Sequence, residues 1–140
     1  MKNLRSLALL PLALAVASCG DSTSQNGGGC DSPISSVTIS SGTTPTFEWS
    51  PACTVAQLVV TDITETDPDK KLKWSVTADQ NIIRPVVTYG VAPANTIQTH
   101  GPDPLVGPIN TLPGHNYVLT LSAIQGDGTY FVVVNWNFTP

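Results

Sequence analysis

Charge, histidine and methionine are all scarce in this 140-residue chain. Lys, Arg, Asp and Glu together make up 11% of it, and it has two His and one Met. Bases are the scarcest charges, with six Lys and Arg against ten Asp and Glu. A nucleic-acid partner is therefore excluded, because neutralising phosphates needs a basic surface. Electrostatic attraction to anionic lipid head groups is excluded for the same reason. There is no Gly-x-Ser-x-Gly elbow, no His-Glu-x-x-His pair and no phosphate-binding glycine loop, so no catalytic or cofactor motif is present and no cofactor is expected. Past residue 18 no stretch has the Ala/Leu/Glu/Lys-rich composition of a helix, which argues against a helical domain. What the chain does have is Thr, Ser and Val with 11 Gly and 12 Pro, the composition of short strands joined by turns.

The first 18 residues stand apart. Lys2 and Arg5 precede an apolar run over residues 7–17, broken only by Pro11. A charged start followed by about a dozen apolar residues fits an export signal, and the run is too short to span a bilayer. It closes on Val16-Ala17-Ser18-Cys19. This stretch resembles the lipobox of bacterial lipoproteins, where an aliphatic residue and two small ones precede the cysteine. The resemblance implies that residues 1–18 are removed and that Cys19 carries lipid on its sulfur, palmitate among its acyl chains. At least two chains would be attached, enough for stable anchoring. Membrane attachment is then covalent, at the cell membrane or outer membrane. Gly20, where inner-membrane retention usually has Asp, implies the outer membrane in a Gram-negative cell. Without Lys2 and Arg5, only Lys70, Lys71, Lys73 and Arg84 face the ten carboxylates, a net charge of −6.

Residues 19–30 read as a flexible tether. The run Gly-Asp-Ser-Thr-Ser-Gln-Asn-Gly-Gly-Gly over 20–29 has no apolar residue to bury. Its root-mean-square reach is about 16–19 Å for a Gly/Ser-type coil. Residues 31–140 form the folded domain.

Alternation and turn signals predict about seven strands in that domain, drawn from eight candidate segments. They fall over residues 37–40, 46–50, 57–63, a segment carrying Leu72, Trp74 and Val76, 82–89 with Pro85 marking an edge, 109–112, 117–125 and 129–138. The last two form a hairpin around Gly126-Asp127-Gly128. Strands throughout, with turns every few residues, predict an all-β, single antiparallel β-sandwich.

Two stretches carry a resemblance. Pro45-Thr46-Phe47-Glu48-Trp49-Ser50-Pro51 resembles the second strand of fibronectin type III domains, with an inward Trp closely followed by Pro. Leu112-Pro113-Gly114-His115-Asn116-Tyr117 resembles that family's turn into its sixth strand. There a tyrosine corner bonds a hydroxyl back to the upstream backbone, a part that would fall to Tyr117. The resemblance implies a fibronectin type III-like or immunoglobulin-like sandwich. It departs from the family at Leu112, directly before Pro113, and in the long region 82–108.

With Cys19 assigned to lipid, Cys30 and Cys53 remain. If the first two strands are antiparallel, both cysteines fall at one end of the sandwich, which predicts a disulfide in the oxidising exported compartment. His100 and Asp103 share a loop, and His115 sits in the turn before Tyr117. Together they are the only material for a small envelope enzyme or metal-handling protein, but two ligands and a distant third make no recognisable site. Asp62, Glu65, Asp67 and Asp69 could offer oxygens to Ca2+, yet three lysines follow at once and the spacing fits no EF-hand, so a solvated turn is expected. Trp49, Trp74 and Trp136 occupy strand positions that read as core, the default for the aromatics; if one is exposed, Tyr89 or Phe131 is the contact residue to expect. Residues 90–108, long and Pro/Gly-rich, read as an irregular loop suited to interaction. The function expected from all this is non-catalytic: a lipid-anchored envelope module, joined to the membrane through Cys19, that binds a protein or glycan.

Overall fold

The computed structural model describes residues 29, 30, 32–101 and 110–140. The export signal, Cys19, nearly all of the tether and Asp103 lie outside the described residues. The domain is an all-β sandwich of two antiparallel sheets, with eight strands and one short helix in the order β1 (Ser36–Ile39), β2 (Thr46–Ser50), β3 (Gln57–Asp62), α1 (Pro68–Lys71), β4 (Leu72–Thr77), β5 (Val87–Thr88), β6 (Ile97–His100), β7 (Tyr117–Ile124) and β8 (Tyr130–Phe138). One sheet has the order β1-β2-β5 and the other β6-β4-β3-β7-β8.

Alternation decides which side chains go inside. On β2, Phe47 and Trp49 are buried while Glu48 is exposed; on β3, Leu58, Val60 and Asp62 are buried between half-buried neighbours. β7 supplies Tyr117, Leu119 and Leu121, and β4 supplies Trp74 and Val76. Each such side chain contributes about 1.5–3 kcal/mol when removed from water. Aromatic rings tie the two layers together. Phe47 of the small sheet meets Phe138 edge-on at 5.7 Å, and Phe138 stacks on Tyr117 at 5.4 Å. The two buried indole N–H groups are satisfied: Trp49 donates to the Cys53 carbonyl at 2.9 Å and Trp74 to Gln98 Oε1 at 3.2 Å.

The structure corrects the sequence expectation in four places. Residues 90–108 do not form one irregular loop, because Ile97–His100 pair with β4 as β6 and extend the large sheet by an edge strand. Residues 82–89 do not form one strand. Pro85 divides them into an isolated bridge at Ile83 and the two-residue β5. In the described part of 109–112, Thr111 is a buried strap whose N–H and hydroxyl both donate to the Thr43 carbonyl, and no strand forms there. The polar stretch after β3 contains a helical turn, because Asp67 caps the Asp69 N–H and Pro68 occupies the first helical turn.

The sandwich has two unlike ends. The chain enters at one of them, where Gly29 bridges Thr54 beside the start of β3, and Cys30 is bonded to Cys53. Asn81 closes this end by exchanging two hydrogen bonds with the backbone of Ile124. At the opposite end stand the β1–β2 loop, α1, the end of β6 and the turn before β7. The Cys30–Cys53 bridge spans a sequence separation of 23. Replacing both cysteines by Ala should cost about 3 kcal/mol and lower the thermal midpoint by roughly 10 °C or more. A melt within a degree or two of wild type would show that the bridge does not constrain the domain.

Candidate functional site

Four strands of the large sheet carry polar residues at the end away from Gly29. β3 ends on Asp62, β4 begins at Leu72 and Lys73, β6 ends on His100, and His115 lies two residues before β7. Asp62 is the centre of a network that takes in His115 and Lys73. β3 faces alternate residues into the core, so the Asp62 carboxylate is fully buried there. A bare carboxylate in that position would be very costly, but this one is surrounded by donors. Oδ1 accepts the backbone N–H groups of Thr64 at 2.9 Å and Glu65 at 3.2 Å. Oδ2 lies 2.8 Å from His115 Nδ1 and 3.8 Å from Lys73 Nζ. Burial alone would push the Asp62 pKa up, yet the bonds from His115, Thr64 and Glu65 outweigh it and hold the carboxyl below its ordinary 3.8.

Glu65 continues the network, accepting the N–H groups of Thr66 and Asp67 through Oε1 and reaching Lys73 Nζ at 3.8 Å through Oε2. Asp67 caps α1 and pairs with Lys70 at 3.0 Å. The acidic cluster expected to be a solvated turn is therefore partly internal, with Asp62 as its buried root. The carboxylates of Asp62, Glu65 and Asp67 are engaged by their own turn, by His115 and by Lys70 and Lys73. Among the described residues no group of three or more His, Cys, Asp and Glu is placed to hold a metal.

Beside this network lies an open cavity of about 290 Å³, lined by Asp69, Lys70, Leu72, Lys73, His100 and Gly101. Gly101 leaves β6 at φ +37, and a Cβ there would run into the Lys73 carbonyl, so glycine lets β6 and β4 converge beneath the cavity. The cavity mixes ammonium, imidazole and carboxylate groups at an exposed rim. That chemistry suits hydrogen-bonded and ionic recognition of a polar partner.

The two histidines do not share a site. β6 and β7 are separated by β4 and β3, three strand spacings or about 14 Å. His115 is not the solvent-facing turn residue the sequence suggests: it is half-buried, bonded to Asp62 and stacked near Tyr117. An imidazole oriented through Nδ1 by a buried carboxylate is half of a general-base arrangement. Among the described residues no hydroxyl or thiol is hydrogen-bonded to His115 to complete it. The sequence names Asp62 and His115 separately. Their pairing across 53 residues has no local signal, because only the β3–β7 register creates it. Lys73 is missed for the same reason.

Tyr117 sits where its motif suggests, with its hydroxyl accepting the Leu112 N–H at 2.8 Å, five residues upstream. Burial pushes the Tyr117 phenol above its ordinary pKa. Of the two aromatics named as contacts should one be exposed, Tyr89 is buried against Trp74 at 5.5 Å, because β5 turns it under the small sheet. Phe131 is exposed. Trp136, expected in the core, is 36% exposed on the outermost strand.

Neither a family model, nor a curated protein, nor a solved structure matches the chain.

Asp62→Asn tests whether the buried network holds this end together. At neutral pH it should lower unfolding free energy by about 1–3 kcal/mol, the cost of unmaking buried hydrogen bonds. A carboxyl with a depressed folded pKa stabilises above its unfolded value and stops doing so as pH falls through the folded one. The gap between wild type and variant in denaturant titrations should therefore shrink below pH 3.8. A gap that is the same in acid as at pH 7 would contradict the assignment.

Proposed function

We propose that the chain is a lipid-anchored, non-catalytic binding module of the cell envelope, held to the outer membrane in a Gram-negative cell through Cys19, whose ligand is a protein or glycan. The observation that carries this reading is the polarity of the sandwich. The chain enters at the end clamped by Cys30–Cys53, and the cleft with Lys70, Lys73 and His100 opens at the other. An open cavity of about 350 Å³ lined by Asp79, Asn81 and Gln125 lies at the clamped end too, but the lysines and the imidazole gather at the far end, which suits that second end to meeting a partner away from the membrane. A rigid sheet framework carrying contacts on terminal loops is a recurrent plan for binding domains.

The sheet order supports a fibronectin type III-like or immunoglobulin-like lineage. If β7 and β8 are lettered F and G, the small sheet becomes A-B-E and four strands of the large one become C′-C-F-G. β6 is then an addition beyond C′. The Tyr117–Leu112 bond, at the start of the F strand, is in keeping with the same lettering.

Two experiments test the proposal. Palmitate labelling of cells should mark the wild-type chain and not Cys19→Ser, which should also leave the membrane fraction; an unlabelled wild type would remove the anchor from the account. A photo-crosslinking residue at position 100 should then trap an envelope component in intact cells, while the same residue at position 127, at the clamped end, should not. Adducts only at 127 would contradict the polarity.

A further inference from the structure

Strand β8 is the outer edge of the large sheet, and it is unlike the other edges. Among the described residues, β1 and β6 have four residues each and β5 has two, whereas β8 has nine. Its sequence, Tyr-Phe-Val-Val-Val-Asn-Trp-Asn-Phe, has no charged residue and no proline, two of the devices that keep natural sheet edges from pairing. Four of its apolar side chains stand out in solvent: Tyr130 at 41%, Phe131 at 37%, Val132 at 55% and Trp136 at 36%. Alternate N–H and C=O groups along it point away from β7, and no described strand lies on that side.

The bulge in β8 fixes which residues face which way. Phe138, Trp136 and Val134 lie opposite Tyr117, Leu119 and Leu121 and so share the core-side face. Past the register shift, Phe131 lies opposite Ala123 and returns to that same face, while Val132 and Tyr130 join Asn135 and Asn137 on the outer one. Of the three exposed aromatics, Trp136 and Phe131 therefore sit on one face, on either side of the Val133–Val134 point.

We propose that β8 pairs antiparallel with β8 of a second copy, about a two-fold axis between Val133 and Val134, joining two five-stranded sheets into one of ten. In that register Trp136 lies opposite the partner's Phe131, and the partner's Trp136 lies opposite Phe131, on a common face. Asn135 meets the partner's Val132, and Asn137 meets the partner's Tyr130. The edge is complementary to itself: faces match only because both strands carry the bulge, and aromatic cross-strand pairs are among the stabilising ones. Charge favours a copy of this chain over a charged partner. The chain is net negative, and its copies can approach only along a strip without carboxylates. The β7–β8 hairpin carries only Asp127, and the antiparallel arrangement leaves the two Asp127 side chains at opposite ends of the shared ladder.

The two Gly29 positions also lie at opposite ends of the joined sheet, so the full chain in detergent, free of a single membrane plane, is the sample to use. Sedimentation should show a dimer that dissociates about tenfold more readily or worse with Val132→Lys, an exposed position where an edge lysine opposes pairing without touching the core. Two tagged forms, Trp136→Cys and Phe131→Cys, should cross-link to each other on oxidation, whereas Trp136→Cys should not cross-link to itself, nor the chain without an added cysteine. A chain monomeric at every concentration tested, a dimer indifferent to Val132→Lys, or 136–136 cross-links as efficient as 136–131 would each overturn the proposal.

Discussion

The register between β3 and β7 is the constraint on which the rest of the domain depends. Six pairs run from Gln57↔Ser122 to Asp62↔Tyr117 through the middle of the large sheet. Because side chains alternate, this register places Leu58 and Val60 on the face that Leu119 and Leu121 also line, packed against Phe47 and Trp49 of the small sheet. A slip of one residue would turn the slipped strand's pair, Leu58 and Val60 or Leu119 and Leu121, outward. The same register ends by bringing Asp62 beside the turn that holds His115, and by setting Tyr117 where its hydroxyl meets Leu112. Core, corner and polar network are three consequences of one strand pairing.

The pairing also separates the ends of the molecule. Where β3 begins, the chain enters and is fastened by a disulfide, and Asn81 binds the hairpin backbone. Where β3 ends, a buried carboxylate gathers a histidine, a lysine and two backbone amides, and a cleft opens next to them. A buried charge with this many partners specifies geometry more than it adds net stability, since its desolvation offsets much of what its hydrogen bonds return. Its effect is to hold the β3–β4 turn and the turn before β7 at fixed positions, which gives the cleft rim a defined shape.

The strands with strict alternation were legible from the chain alone. Thr46–Ser50, with Phe47 and Trp49 on one side, is bounded where the pattern bounds it, and the β7–β8 hairpin follows its Gly-Asp-Gly turn. The sandwich class follows from those elements, and the disulfide from the two cysteines flanking the first strand pair. What was not legible depended on distant partners. β6 has a weak strand pattern, Ile-Gln-Thr-His between Pro-rich flanks, and becomes a strand because β4 offers it an edge. Trp136 reads as core from its alternation yet is exposed, because β8 is the outer edge of the large sheet, while Tyr89 is buried because β5 turns it beneath the small sheet. The Asp62–His115 pair needs the β3–β7 register before its two halves can be seen as one site.

Residue-resolved amide hydrogen exchange measures that register most directly. In the account given, the amides of Val59, Val60, Leu119, Thr120 and Leu121 exchange only through global unfolding, while those of the edge strand β6 open locally and much sooner. Exchange at β3 and β7 as fast as at β6 would contradict it, because the pairing that organises the core and positions Asp62 would then not be the most stable part of the domain.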